Sequence, residues 1–148
     1  MKEEFLEIEA EITQLKREKL RLKNNIDELS LNHERQIDAL LNDFISVIDT
    51  YEKAEAKIKE MELPEDNNIQ RVIKRLLQPK KTALSILSKN GVSQIDIVGK
   101  PLNEDICTVV ETEPDNENEN DTVLSIEKSG YIRGERLIRR AEVVIVRN

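Results

Sequence analysis

The sequence predicts an α+β protein: a long N-terminal coiled-coil helix, short helices forming a dimeric bundle, and a small C-terminal antiparallel β domain. Three observations carry that prediction. Residues 1–63 contain neither glycine nor proline, the two strongest helix breakers, so one long helix is permitted there. All four glycines, Gly91, Gly99, Gly130 and Gly134, fall in the last 58 residues. Runs of β-branched residues begin in the same stretch. The expected divisions are a dimerising stalk over 1–60, bundle helices over 61–90 and a β domain over 91–148.

In the stalk, Phe5, Ile8, Ile12, Leu15, Leu22, Ile26 and Leu29 recur at 3-4 spacing, interrupted only by Lys19. One such stripe is too narrow to stabilise a lone helix, so it predicts the seam of a two-stranded coiled coil. Polar Lys19 costs the seam stability but can fix its register. Beyond Leu29 the line continues through His33, Ile37, Leu40, Phe44, Val47 and Tyr51, and two successive spacings of four locally unwind a left-handed supercoil. Leu41, Ile45 and Ile48 widen the stripe, so this part is expected to pack on further helices as well as on its twin. The expected dimer interface is Ile8, Ile12, Leu15, Leu22, Ile26, Leu29, Ile37, Leu40 and Phe44. At ~1.5 Å per residue the rod would run about 80 Å. His33, with no Cys or second His nearby, reads as a seam residue rather than a metal ligand.

Pro64 ends the rod, with Asp66, Asn67 and Asn68 as candidate caps. Ile69, Val72, Ile73, Leu76 and Leu77 then form an apolar helical face, resumed by Ala83, Leu84, Ile86 and Leu87 until Asn90-Gly91. Pro79 between them either kinks one helix or opens a second. In the β domain, strands are expected over 95–98, 106–110, 122–126 and 143–146. Residues 111–121, with six acids and no apolar member, read as a solvated hairpin loop. They fail as a Ca²⁺ loop, because Asp121 stands where the sharp turn needs glycine. Gly130 and Gly134 mark two turns in a compact antiparallel sheet. Cys107 reads as a small buried hydrophobe.

Composition narrows the function classes. Charged residues make up 36% and aromatics 3%, which suits solvated helices better than a deep enzyme pocket. The net charge of −7 disfavours nucleic acid as a partner. The charge is uneven: residues 91–121 carry one base and nine acids, whereas residues 122–148 carry six bases and three acids. The basic C-terminal segment suits an acidic protein surface, or is simply the wet face of a sheet. Apolar runs are far short of the ~20 residues that cross a bilayer, and one cysteine makes no intrachain disulfide. The sequence shows no Ser/His/Asp set, no Cys/His cluster and no glycine-rich phosphate loop, and with a single histidine most nucleophile–base arrangements cannot be assembled. A soluble cytoplasmic protein is expected that is no enzyme and has no cofactor, metal, nucleic-acid or membrane partner.

Several segments go further. Phe44-Ile45-Ser46-Val47-Ile48-Asp49-Thr50-Tyr51-Glu52-Lys53-Ala54 resembles the L-L-P-V-[IL]-D-x-L-[DE]-[RK]-A segment of the GrpE family of nucleotide exchange factors. Leu87-Ser88-Lys89-Asn90-Gly91-Val92 is similar to that family's L-x-K-x-G-V junction, and Gly99-Lys100-Pro101-Leu102-Asn103 to its G-x-P-[FL]-D-P. The most specific match is Gly130-Tyr131 followed by Arg136 to Val146, which resembles the closing G-Y-x-L-x-x-R-[VT]-[LI]-R-[PA]-A-x-V-x-V. The chain departs at Cys107-Thr108-Val109, where members carry H-E-A, and at Glu104, where they carry proline.

The resemblance implies a co-chaperone. Its β domain would bind the ATPase domain of a DnaK-type chaperone and open the nucleotide cleft, so that ADP leaves and ATP rebinds. It also implies partner-binding positions: Arg136, Arg139, Glu127 and Ile145. Arg139 either meets the partner or braces the β domain, and Ile145 either faces the partner or belongs to the core. Gly91 and Gly130 are expected to supply turns. The rival reading is a homodimeric coiled-coil scaffold whose β domain docks on a non-chaperone protein.

Overall fold

The computed structural model describes residues 1–148, which divide into two units, Met1–Leu40 and Leu41–Asn148. Helix α1 spans Lys2–Glu60 and contributes to both. Its first turn carries Glu3 and Glu4 and its last turn Lys57 and Lys59, each complementing the helix dipole. In the first unit no side chain is buried, and Thr13 Oγ1 donates to the Glu9 carbonyl at 2.8 Å. The apolar stripe there has no covering surface within the chain: Leu22 and Leu29 are 61% and 68% exposed.

In the second unit α1 buries Ile45 and Ile48, one helical turn apart. Asp66 caps α2 (Asn67–Lys89), accepting from the Asn68 N–H at 2.7 Å. Pro79 lies inside α2, so the bundle segment is one 23-residue helix rather than several short ones. Gly91, at φ +76° in the left-handed region, follows the Asn90 cap and donates to the Ser88 carbonyl.

Six strands follow: β1 (Val92–Gln94), β2 (Cys107–Glu113), β3 (Val123–Lys128), β4 (Tyr131–Arg133), β5 (Arg136–Arg139) and β6 (Ala141–Val146). They form two three-stranded sheets, ordered β1-β4-β5 and β2-β6-β3. The first is antiparallel throughout, whereas β2 pairs with β6 in parallel. The β domain is therefore antiparallel-rich but not wholly antiparallel. Residues 111–121 are also no hairpin loop, because β2 and β3 flank β6 on opposite sides. The long return to β6 permits a parallel pairing that a tight hairpin forbids.

Residues 95–98, expected as a strand, alternate in burial at Ile95 and Ile97 but join no sheet. The strand lies three residues earlier, at β1, and Ile95 N–H reaches only the Gly130 carbonyl, at 2.9 Å. The segment expected as two turns contains the β4–β5 hairpin around Gly134.

Two apolar clusters organise the unit. One joins Ile95, Ile97, Cys107, Val123, Ala141, Val143 and Ile145. The other joins Ile45 and Ile48 of α1 to Leu87 of α2, Val92 of β1 and Tyr131 of β4. The second cluster thus docks the antiparallel sheet onto the helices. No helix of the chain is long and apolar enough to cross a membrane.

Candidate partner interface

Two of the four expected partner positions lie at the surface. Arg136 opens β5 with its side chain exposed, paired across the hairpin with Arg133. This register concentrates positive charge on one short ladder, as an acidic partner surface would favour. Glu127 is exposed near the end of β3, where Ser125 Oγ donates to its Oε1 at 3.3 Å. It lines a groove with Asp49, Glu52 and Lys53 of α1, Lys80 of α2, and Lys128, Ser129 and Glu142.

The other two are placed differently. Ile145 is 2% exposed inside β6, within the first apolar cluster, so in this chain it presents no surface to a partner. The Arg139 guanidinium closes a two-pronged ion pair on Asp49, with Nη1 to Oδ2 at 2.6 Å and Nη2 to Oδ1 at 2.7 Å. Nε and Nη2 also donate to the Ser129 carbonyl, at 3.1 and 2.6 Å. The guanidinium carbon lies 5.4 Å from the Tyr131 ring centre. Of the two roles open to Arg139, the geometry displays the brace. The structure thus brings Glu127 and Arg139 to neighbouring places around Ser129 and Asp49, while Arg136 lies at the other end of β5.

A second set of bonds runs beside the ion pair. Ser129 Oγ donates to both Glu52 oxygens at 3.0 Å, and Gln94 Nε2 reaches Glu52 Oε1 and the Tyr131 hydroxyl, both at 3.1 Å. Lys80 of α2 pairs with Glu55 at 2.6 Å, and that hydrogen bond holds the Glu55 carboxyl below the usual carboxylate range. Sequence reasoning did not single out Asp49, Glu52, Gln94 or Ser129. The signal was available for two of them: Asp49 and Glu52 continue the Ile45–Ile48 face at helical spacing, so that face turns from apolar to acidic.

Burial pushes the Tyr131 hydroxyl up to about 12. Its folded value then exceeds the unfolded value of about 10, so its contribution is complete below pH ~10 and is lost as pH rises towards 12. Urea midpoints of the wild-type protein should fall steeply across that alkaline window. Tyr131→Phe should flatten that fall, and an equal slope in both proteins would contradict the assignment.

The expected dimer positions Ile8, Ile12, Leu15, Leu22, Ile26, Leu29 and Leu40 are all exposed in the single chain. Ile37 is half-buried, and half-buried Phe44 packs on the second apolar cluster. No group of three or more His, Cys, Asp or Glu is placed to hold a metal ion.

A family model described as GrpE matches residues 1–147. A Protein GrpE from Francisella tularensis subsp. holarctica is 28% identical over 158 aligned residues, covering 99% of this chain and 77% of that protein. A Protein GrpE from Parageobacillus thermoglucosidasius is 29% identical over 147, covering 94% of this chain and 63% of that protein.

Proposed function

Because the chain belongs to the GrpE family, we propose that it is a co-chaperone that speeds ADP release from the ATPase domain of a DnaK-type chaperone. The family match across residues 1–147 is the observation that carries this reading. The β domain docks on the ATPase domain and favours its open-cleft state, ADP leaves, and ATP rebinds. A ligand shifts such an equilibrium only by its preference between the two states. By linkage, a factor that weakens ADP binding is itself weakened equally by ADP. A 100- to 1000-fold weakening of ADP binding asks for a preference of about 2.7–4.1 kcal/mol, within reach of a few well-packed contacts.

Arg136 and Glu127 are the exposed residues we assign to partner contact, Arg136 through a planar fork onto acidic chaperone residues. Ile145 and Arg139 act from behind that surface, one by filling the core of β6 and the other by bracing. The protein works as a cytoplasmic homodimer zipped along the stripe of Ile8, Ile12, Leu15, Leu22, Ile26 and Leu29, whose exposure in one chain a second copy would relieve.

The test is the release rate of a fluorescent ADP from the chaperone of the same cell. The wild-type protein should accelerate release on the order of 100-fold or more at saturation. Arg136→Ala should raise the half-saturating concentration about tenfold, consistent with loss of one charged contact, while sedimentation still reports a dimer. Unchanged release with every DnaK-type chaperone of the source would favour the scaffold reading.

A further inference from the structure

The β domain is two small sheets in series, and the chain passes between them repeatedly. One passage is Ser129-Gly130, between the end of β3 and the start of β4. Another is Arg140, between the end of β5 and the start of β6. Arg139 borders the second passage, and its guanidinium holds the carbonyl of Ser129 in the first. Asp49 of α1 grips Arg139 with both carboxylate oxygens, and Glu52, three residues on, takes the Ser129 hydroxyl. Two carboxylates on one helical face therefore clasp both passages. The Arg139 and Asp49 side chains are 19% and 16% exposed, so water screens the pair little.

We propose that Asp49, acting through Arg139, is a positioning residue for nucleotide exchange: the clasp fixes the β2-β6-β3 sheet against the helices, so that docking is converted into strain on the chaperone cleft. The inference rests on the exchange reading above. The physical requirement is stiffness. A β domain that swivels on its passages docks on the closed and open clefts alike, and equal affinity for two states shifts neither. A two-pronged pair resists rotation as a single hydrogen bond does not, because both bonds must stretch together. The second apolar cluster already secures the antiparallel sheet through Tyr131 and Val92. The clasp acts instead where the chain leaves that sheet for the next.

The experiment compares full-length wild-type protein with Asp49→Asn, which keeps the shape and removes the charge. Two dissociation constants are measured for each, against the ADP-bound and the nucleotide-free chaperone. Their ratio should fall about tenfold in Asp49→Asn, with affinity for the ADP-bound form nearly unchanged. A loss of stability alone, well below the unfolding temperature, would leave the ratio intact. In parallel, spin labels at Lys57→Cys on α1 and Thr112→Cys on β2 report the domain's orientation, in labelled chain diluted with unlabelled chain. Cys107, 3% exposed, is shielded from the label. The distance distribution should be narrow in the wild type and broad with Asp49→Asn. An unchanged ratio, or a distribution equally narrow in both, overturns the proposal. Should Asp49→Asn fail to fold, Glu52→Gln carries the same comparison with a smaller effect. If the wild-type protein acts on no chaperone, the exchange reading falls and the label distribution alone judges the clasp, broadening supporting it and constancy overturning it.

Discussion

Gly130→Ala is expected to unfold the β domain at temperatures where the wild type is stable, although it adds one methyl group. A Cβ at Gly130 would run into the backbone nitrogen of Ala141 and lie 2.8 Å from both the Ala141 Cα and Ile95 Cδ1. Two of those three obstacles are main chain, which no rotamer change can move aside. Retreat is blocked as well. Ala141 N–H is bonded to the Ile106 carbonyl at 3.0 Å, and the Gly130 carbonyl accepts from Ile95 N–H at 2.9 Å. Relief therefore separates β6 from its neighbours, and the cost should reach about 3 kcal/mol, the upper end for overpacked cores. Against a total stability of about 5–15 kcal/mol, that is a large fraction.

Gly91→Ala provides the contrast. Nothing lies within 4 Å of its added Cβ, and the penalty comes only from φ +76°. Left-handed backbone costs a residue with a Cβ about 1–2 kcal/mol. Urea titrations followed by far-ultraviolet circular dichroism should show the larger loss for Gly130→Ala. The reverse order would mean that the close approach at Ala141 is not what requires glycine at position 130.

How much of this was readable in the residues depends on the distance over which each feature is determined. Helix α1 was legible because its causes are local: no breaker before Pro64 and one apolar line. Helix α2 was half-legible. Pro79 removes one N–H donor, yet the face from Ile69 to Leu87 continues across it, and apolar packing outweighs one lost bond. The β domain was legible as strands and turns but not as sheets. Alternation at Ile95 and Ile97 records burial, which the apolar cluster supplies without any ladder. The direction of the β2–β6 pair depends on where the chain returns, and no local pattern encodes that. For the site, the resemblance located Arg136, Arg139, Glu127 and Ile145, but exposure separates them into two surface residues and two internal ones. Arg139 could not be assigned from its own neighbourhood, because its carboxylate partner lies 90 residues away in sequence.

Ile48→Ala and Leu22→Ala should separate what holds each unit together, since both truncate an apolar side chain on the same helix. Ile48 is 0% exposed and packs within its own chain against the cluster of Leu87, Val92 and Tyr131. Its truncation leaves a cavity that the helix and sheet cannot close, at a cost of about 3–4 kcal/mol. The transition of the Leu41–Asn148 unit should fall by roughly 15 °C, and raising protein concentration should not recover the loss. Leu22 is 61% exposed within one chain, so the proposed dimer is where its loss would be felt. Leu22→Ala should therefore lower the transition of the helical Met1–Leu40 unit, and that transition should climb with protein concentration in wild type and variant alike, the signature of stability gained by association. Two calorimetric scans of each variant at concentrations a hundredfold apart make the comparison. A Met1–Leu40 transition that stays fixed across that hundredfold range would detach the stripe from self-association. Concentration-dependent recovery in Ile48→Ala would instead move Ile48 from the core of one chain to the contact between two.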